Sequence, residues 1–213
     1  MKFKKTGMLS WVFIGILALI AGVWAWQQIA NRPPAVEAVY YQTPKVLPNF
    51  ELNRDGGVFT PADLQGKWSV VFIGYTFCPD ICPTTLADLN RIYPKLKDNP
   101  AGDEVQVVFI SVDPNRDIPK NLAEYSHYFN PEFIGVTAAH EVLFPLTRAM
   151  SMVYSIVEEG TEGSYLVDHS ASIALLNPQG QLQALFRPKL ESGSLPAVDM
   201  TQLVKDFHTI VSN

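Results

Sequence analysis

The 213-residue chain has two cysteines, and both fall in the short run Phe77-Cys78-Pro79-Asp80-Ile81-Cys82-Pro83. Side chains four apart near the start of a helix share one face, and the positive end of the helix dipole favours thiolate over thiol. Such a pair is set up to exchange with a disulfide or to hold a soft metal ion. A stapling disulfide is a further use, but it would close a loop of only a few residues, where loop-closure entropy contributes least. Two thiolates suit copper(I), and one added imidazole makes a three-coordinate set that also accepts copper(II). Structural zinc takes four protein ligands, so zinc would need a water to complete its shell.

Any imidazole must come from four histidines. His127 falls on an expected helix over 118–129, His140 begins another helical stretch, and His208 lies among polar residues of the last helix, all of them surface positions. His169, in YLVDHS (165–170), reads as part of a loop entering the first strand of a closing hairpin. It is there either as a third ligand or as an ordinary structural or exposed histidine, and the residues alone leave both uses open. Asp80, Asp113 and Asp168 lie near these positions in sequence or motif. They either orient the site or serve as turn and capping residues.

The elements that must carry the cysteines are legible from periodicity. WSVVFIGYTF (68–77) is a nearly continuous apolar, β-branched and aromatic run, which predicts a central strand buried on both faces. After it, Pro83 suits the first turn of a helix, and Leu86, Leu89, Ile92 and Leu96 recur at helical spacing, with Pro94 expected to kink or end that helix. VQVVFISVD (105–113) predicts a second buried strand, and Leu122, Tyr125 and Phe129 an amphipathic helix after Asp117 and Pro119. A helical stretch at 140–151 broken by Pro145, a strand at 153–157, a hairpin at 172–186 turning at Pro178-Gln179-Gly180, and a closing helix through Val198, Leu203, Phe207 and Val211 complete the series. Ahead of them, Asp55-Gly56-Gly57 sits between two short β-prone runs and predicts an opening hairpin. Alternating strands and helices followed by a hairpin and a last helix indicate an α/β sandwich with a mixed sheet. The acidic stretch EEGTEGSY (158–165) reads as a solvated loop.

Ahead of that domain, Met8 to Trp26 is a run of 19 residues without a charge. At about 1.5 Å per residue it spans a hydrocarbon layer of about 30 Å. Lys2, Lys4 and Lys5 precede it and only Arg32 lies close behind, so the amino terminus is expected in the cytoplasm and the globular part outside. A cleaved signal peptide is the rival, but its apolar region is shorter and ends in a small-x-small site, which Gln28 and Ala30 supply poorly. Residues 1–7 thus read as a cytoplasmic stub, 8–26 as a transmembrane anchor, 27–48 as a proline-rich tether and 49–213 as the domain, in a bacterial inner membrane with the domain in the periplasm. The net charge of -5 and the scattered Lys and Arg give no basic stripe interleaved with aromatics, which excludes a nucleic-acid partner.

FCPDICPTTLADL (77–89), followed by FISVDPNRD (109–117) and YLVDHS (165–170), resembles the Sco/SenC family of copper-binding proteins that serve cytochrome c oxidase assembly. The resemblance runs from about Phe50 to the closing helix with the motifs in family order. It implies a thioredoxin-like fold, a mixed sheet flanked by helices, with Cys78 and Cys82 on the loop that starts the first helix of the domain. It also implies that a late loop brings His169 beside them, making Cys78, Cys82 and His169 the copper ligands. The implied task is copper delivery to, or thiol reduction of, the binuclear copper site of cytochrome c oxidase subunit II. A periplasmic thiol reductant and other copper carriers are the further implied partners.

Two other functions compete. A thiol-disulfide oxidoreductase of the thioredoxin class would use Cys78 and Cys82 as its redox-active pair and would not need His169, but its usual motif is C-x-x-C. A thiol peroxidase is loosely suggested by Thr76-Phe77-Cys78, yet the spacing of its Thr and Cys is one residue too short.

Overall fold

The computed structural model describes residues 5–30, 34–158, 165–190 and 195–212. The chain divides into two units, Met1–Pro34 and Ala35–Asn213. The first holds one helix, α1 (Lys5–Ala30), along which Trp11, Phe13 and Trp24 are exposed. Its described side chains are those of 11–24 and 26. Among the described residues, no helix is long and apolar enough to cross a membrane.

The second unit is built on an eight-stranded mixed sheet. Its strands are β1 (Val39–Lys45), β2 (Leu52–Arg54), β3 (Gly57–Phe59), β4 (Lys67–Gly74), β5 (Glu104–Ser111), β6 (Ile134–Thr137), β9 (Ile173–Leu176) and β10 (Leu182–Phe186), in the order β1-β10-β9-β4-β5-β6-β2-β3. β7 (Tyr154–Glu158) and β8 (Tyr165–His169) form a separate two-stranded antiparallel sheet. The helices are α2 (Ile81–Lys97), α3 (Pro119–Phe129), α4 (His140–Ala149) and α5 (Met200–Val211).

β4 and β5 pair in parallel over eight residues, Lys67↔Glu104 to Gly74↔Ser111, and nearly every residue of both is buried. Two covered faces explain why their sequences run apolar without alternation. On one face Trp68 meets Phe207 of α5 edge-on at 6.0 Å, and Phe109 lies 5.7 Å from Tyr125 of α3. On the other face Val71, Val108 and Ile110 pack with Leu146 and Met150 at the end of α4. The expected opening hairpin is β2–β3, with Gly56 at φ +74°, a conformation that residues bearing a Cβ rarely adopt. The closing helix starts at an Asp199 cap whose carboxylate accepts from Thr201 N and Gln202 N, both at 3.0 Å.

Three departures from the sequence reading have physical causes. The proline-rich tether does not reach residue 48: Val39–Lys45 form β1, an edge strand antiparallel to β10. Prolines are tolerated at an edge, where one side of the strand makes no ladder bonds, so Pro44 did not prevent pairing. The IGVT segment (134–137) forms β6, a four-residue strand too short for a period to show, between helices α3 and α4. YLVDH is a strand, β8, and His169 ends it instead of lying in a loop. Its partner β7 lies at 154–158, six residues earlier in the chain, and the hairpin is polar in part. Of the expected solvated loop at 158–165, residues 159–164 lie outside the described residues, and Glu158 and Tyr165 belong to β7 and β8. Pro94 and Pro145 sit within α2 and α4, each helix continuing for about one more turn.

Candidate metal centre

Cys78 lies in the turn after β4, its amide donating to Tyr75 O at 3.3 Å, and Cys82 lies in the first turn of α2. The pair therefore meets through a turn running into a helix, with Cys78 ahead of the helix itself. Cys82 is fully buried, Cys78 half-buried, and both are free thiols. His169 arrives from β8, and Cys82 Sγ is 3.3 Å from its Nε2. The Sγ atoms of Cys78 and Cys82 and a ring nitrogen of His169 all lie within 4.8 Å of one another.

The imidazole is oriented from three sides. Its Nδ1 lies 3.2 Å from Ser170 O, a bond in which Nδ1 donates to the carbonyl and which sets the ring with Nε2 toward the sulfurs. Phe72 and Tyr75 meet the ring edge-on at 5.9 and 6.0 Å. The Cys82 thiol donates to Cys78 and lowers its pKa to about 4; burial opposes this, while His169 and the peptide N–H groups of Cys82 and Asp80 assist. Cys82 shifts upward, because it holds the shared proton, is buried and faces the Cys78 thiolate. The metal-free site thus carries one thiolate at its more open edge and one thiol behind it.

Gly74, the last residue of β4, makes room for the buried sulfur. A Cβ there would stand 2.6 Å from Cys82 Sγ and 3.0 Å from Phe109 Cε2. A lone glycine inside an apolar strand run signals such a close approach, and that signal was available in the sequence. Asp117 is fully buried and accepts from Thr76 N at 2.9 Å, from the Thr76 hydroxyl and from Ser111 Oγ at 2.5 Å, tying the turn that presents Cys78 to the end of β5. The sequence showed it only as a helix-start residue.

The three aspartates singled out beside the site take other parts. Asp113 is buried, accepts from Tyr165 Oη at 2.6 Å and pairs with Arg116. Asp80 caps α2 through its carbonyl, which accepts from Thr84 Oγ1 at 2.8 Å and makes no side-chain cap bond. Asp168 is exposed on β8 opposite Ser155. His127 is exposed; His140 bonds Tyr154 Oη through Nδ1 at 2.8 Å, and His208 bonds Lys95 O through Nε2 at 2.9 Å.

A mixed sheet flanked by helices, with a C-x-x-x-C turn leading into a helix and a late histidine beside it, defines a thioredoxin-like domain with a three-donor thiolate–imidazole cluster. The sequence model of the SCO1/SenC family matches residues 39–204, and the chain belongs to that family. It is 41% identical over 131 residues to the mitochondrial protein SCO1 homolog 1 of Arabidopsis thaliana, covering 61% of this chain and 39% of that protein. It is 32% identical over 174 residues to the SCO2-like protein of Rickettsia felis, covering 78% and 84% of the two chains. The chain spans half or less of the length of most mitochondrial relatives it matches. Among solved structures, Arabidopsis thaliana ScoI with copper bound superimposes with a TM-score of 0.66 at 33% identity, covering 78% of this chain and 98% of that one.

Proposed function

We propose that the chain is a membrane-anchored copper chaperone, with Cys78, Cys82 and His169 as copper ligands and cytochrome c oxidase subunit II as the recipient. The convergence of two sulfurs and one ring nitrogen within 4.8 Å carries this reading. The same three residues stand in the motifs by which the chain resembles its family. Thiolates are soft donors that favour copper(I), and the imidazole extends the set to copper(II). Copper is cargo here. An acceptor thiolate approaching from solvent meets Cys78 first, because Cys82 is fully buried, so exchange proceeds at the open edge while Cys82 and His169 still hold the ion.

The same thiols support reduction of an acceptor disulfide. Cys78 thiolate attacks one sulfur to form a mixed disulfide, and Cys82, giving up its proton, displaces the second acceptor thiol. Two electrons pass to the acceptor, and Cys78 and Cys82 are left as a disulfide for a periplasmic reductant to reopen. The downshifted Cys78 keeps a pure thiol-disulfide oxidoreductase as the second reading.

The charge-free sequence run 8–26 supports a single-pass anchor in a bacterial inner membrane with the domain in the periplasm. Retention of the full chain in carbonate-washed membranes, with the domain open to protease in spheroplasts, tests that placement.

Anaerobic titration of the reduced fragment 35–213 with copper tests the site. One copper per chain, with binding altered in Cys78→Ser, Cys82→Ser and His169→Ala, is the expected result. No specific copper binding by the parent, with disulfide turnover undiminished in His169→Ala, would establish the oxidoreductase instead.

A further inference from the structure

His169 is the one member of the cluster that the main sheet and its helices do not carry. It ends β8, in the two-stranded sheet, so its place beside the sulfurs depends on how that hairpin is held. Arg116, in the segment between β5 and α3, touches both sides of the junction. Its Nη1 donates to Tyr165 O at 3.2 Å, and its guanidinium lies 3.8 Å over the Tyr165 ring. Asp113, 2% exposed, binds Arg116 Nε and also accepts from Tyr165 Oη at 2.6 Å. The same guanidinium lies 5.1 Å from the ring of Phe77 and 5.6 Å from that of Tyr75. Phe77 directly precedes Cys78, and Tyr75 packs on the His169 ring.

We propose that Arg116 is a positioning residue that clasps the start of β8 to the cysteine turn, and that this clasp governs how well the site keeps copper(II) relative to copper(I). The inference rests on the copper reading above. Copper(I) is satisfied by the two thiolates, which share one turn and do not depend on the hairpin. Copper(II) needs the imidazole as well. Loosening β8 withdraws His169 and leaves the sulfurs where they are. Lysine cannot replace Arg116, because a point charge cannot stack on Tyr165 and bind Asp113 and a carbonyl in one plane.

The full chain in detergent, reduced and anaerobic, is compared with Arg116→Ala, Arg116→Lys and the milder Tyr165→Phe. Copper(II) affinity is expected to fall about 10- to 100-fold in the arginine variants, the range for loss of a ligand-orienting partner, while copper(I) affinity stays within about threefold. In the metal-free proteins, amide exchange of β8 and Ser170 is expected to quicken while that of β4 and β5 is unchanged. Equal loss of both copper states, unchanged affinities, or exchange rising across β4 and β5 together with β8 would each overturn the proposal. Failure of the parent to bind copper would instead remove the chaperone reading, and the metal-free exchange would still decide whether Arg116 holds the hairpin.

Discussion

Cys82 Sγ and His169 Nε2 lie 3.3 Å apart although 87 positions separate the two residues. Phe72 and Tyr75 hold the imidazole edge-on, and Ser170 O fixes its proton on Nδ1. Removing the ring leaves the cysteine turn intact. His169→Ala should therefore keep copper(I) on two thiolates and lose the copper(II) species, seen as disappearance of the thiolate-to-copper(II) absorption in an anaerobic titration.

The lowered pKa of Cys78, about 4, predicts a reactivity profile. Its alkylation by iodoacetamide should be nearly independent of pH between about 6 and 8, where a free thiol with a pKa of about 8.5 would gain steeply. Cys82→Ala removes the thiol that donates to Cys78 and should restore that rise. Stability follows with a definite sign. A folded pKa below the unfolded one makes the Cys78 contribution complete above about pH 8.5 and lost as pH falls toward about 4. Cys82, shifted upward, contributes below about pH 8.5 and loses its contribution above it. Urea midpoints of the reduced metal-free protein should rise with pH to about 8.5, and Cys78→Ala should flatten the acid limb.

Gly74→Ala places a methyl 2.6 Å from Cys82 Sγ in a strand whose neighbours on both sides are paired. The strand cannot retreat, so the sulfur must. A loss of about 1–3 kcal/mol in urea unfolding is expected, together with a fall in copper affinity of at least about tenfold, as for other disturbed ligand shells. Unchanged affinity would show that Cys82 relocates without cost.

Asp117→Asn trades an acceptor-only carboxylate for a group that must point donors at Thr76 N, the Thr76 hydroxyl or Ser111 Oγ. With the site fully buried, destabilisation of about 1–3 kcal/mol is expected. Faster amide exchange at Thr76 and Cys78 would locate the effect in the cysteine turn.

Fragments starting at residue 35 and at residue 49 should differ in stability. The shorter one lacks β1, the bond from Ala38 N to Asp206 Oδ2 at 2.8 Å and that from Gln183 Nε2 to Tyr41 O at 2.9 Å. It also bares the ladder edge of β10, an invitation to pairing between chains. A lower urea midpoint and concentration-dependent light scattering for 49–213 are the expected observations.

Much of this architecture was legible because burial on two faces leaves a continuous apolar mark. That held for β4, β5 and the closing hairpin, whose runs are bounded by turn residues, while α2 showed itself by apolar residues at helical spacing. β6 escaped because four residues carry no period, and β1 because Pro44 and its polar residues read as linker. β8 escaped because only Val167 of its five residues is buried, so the strand carries little apolar signal even though its partner β7 lies six residues earlier.

The sequence by itself determined the thiol pair, since a turn and a helix start are local and four residues suffice to bring Cys78 and Cys82 together. It also showed a run of 19 residues without a charge at 8–26, because hydropathy needs no tertiary context. Only the tertiary structure decided that His169 completes the cluster, that Gly74 clears space for a sulfur, and that Asp117 and Arg116 hold the surrounding turns. Those relations join residues from strands that meet only when the chain packs. Their energies come from burial and hydrogen bonding across the fold, and neither spacing nor periodicity encodes which distant partner a buried polar group will find.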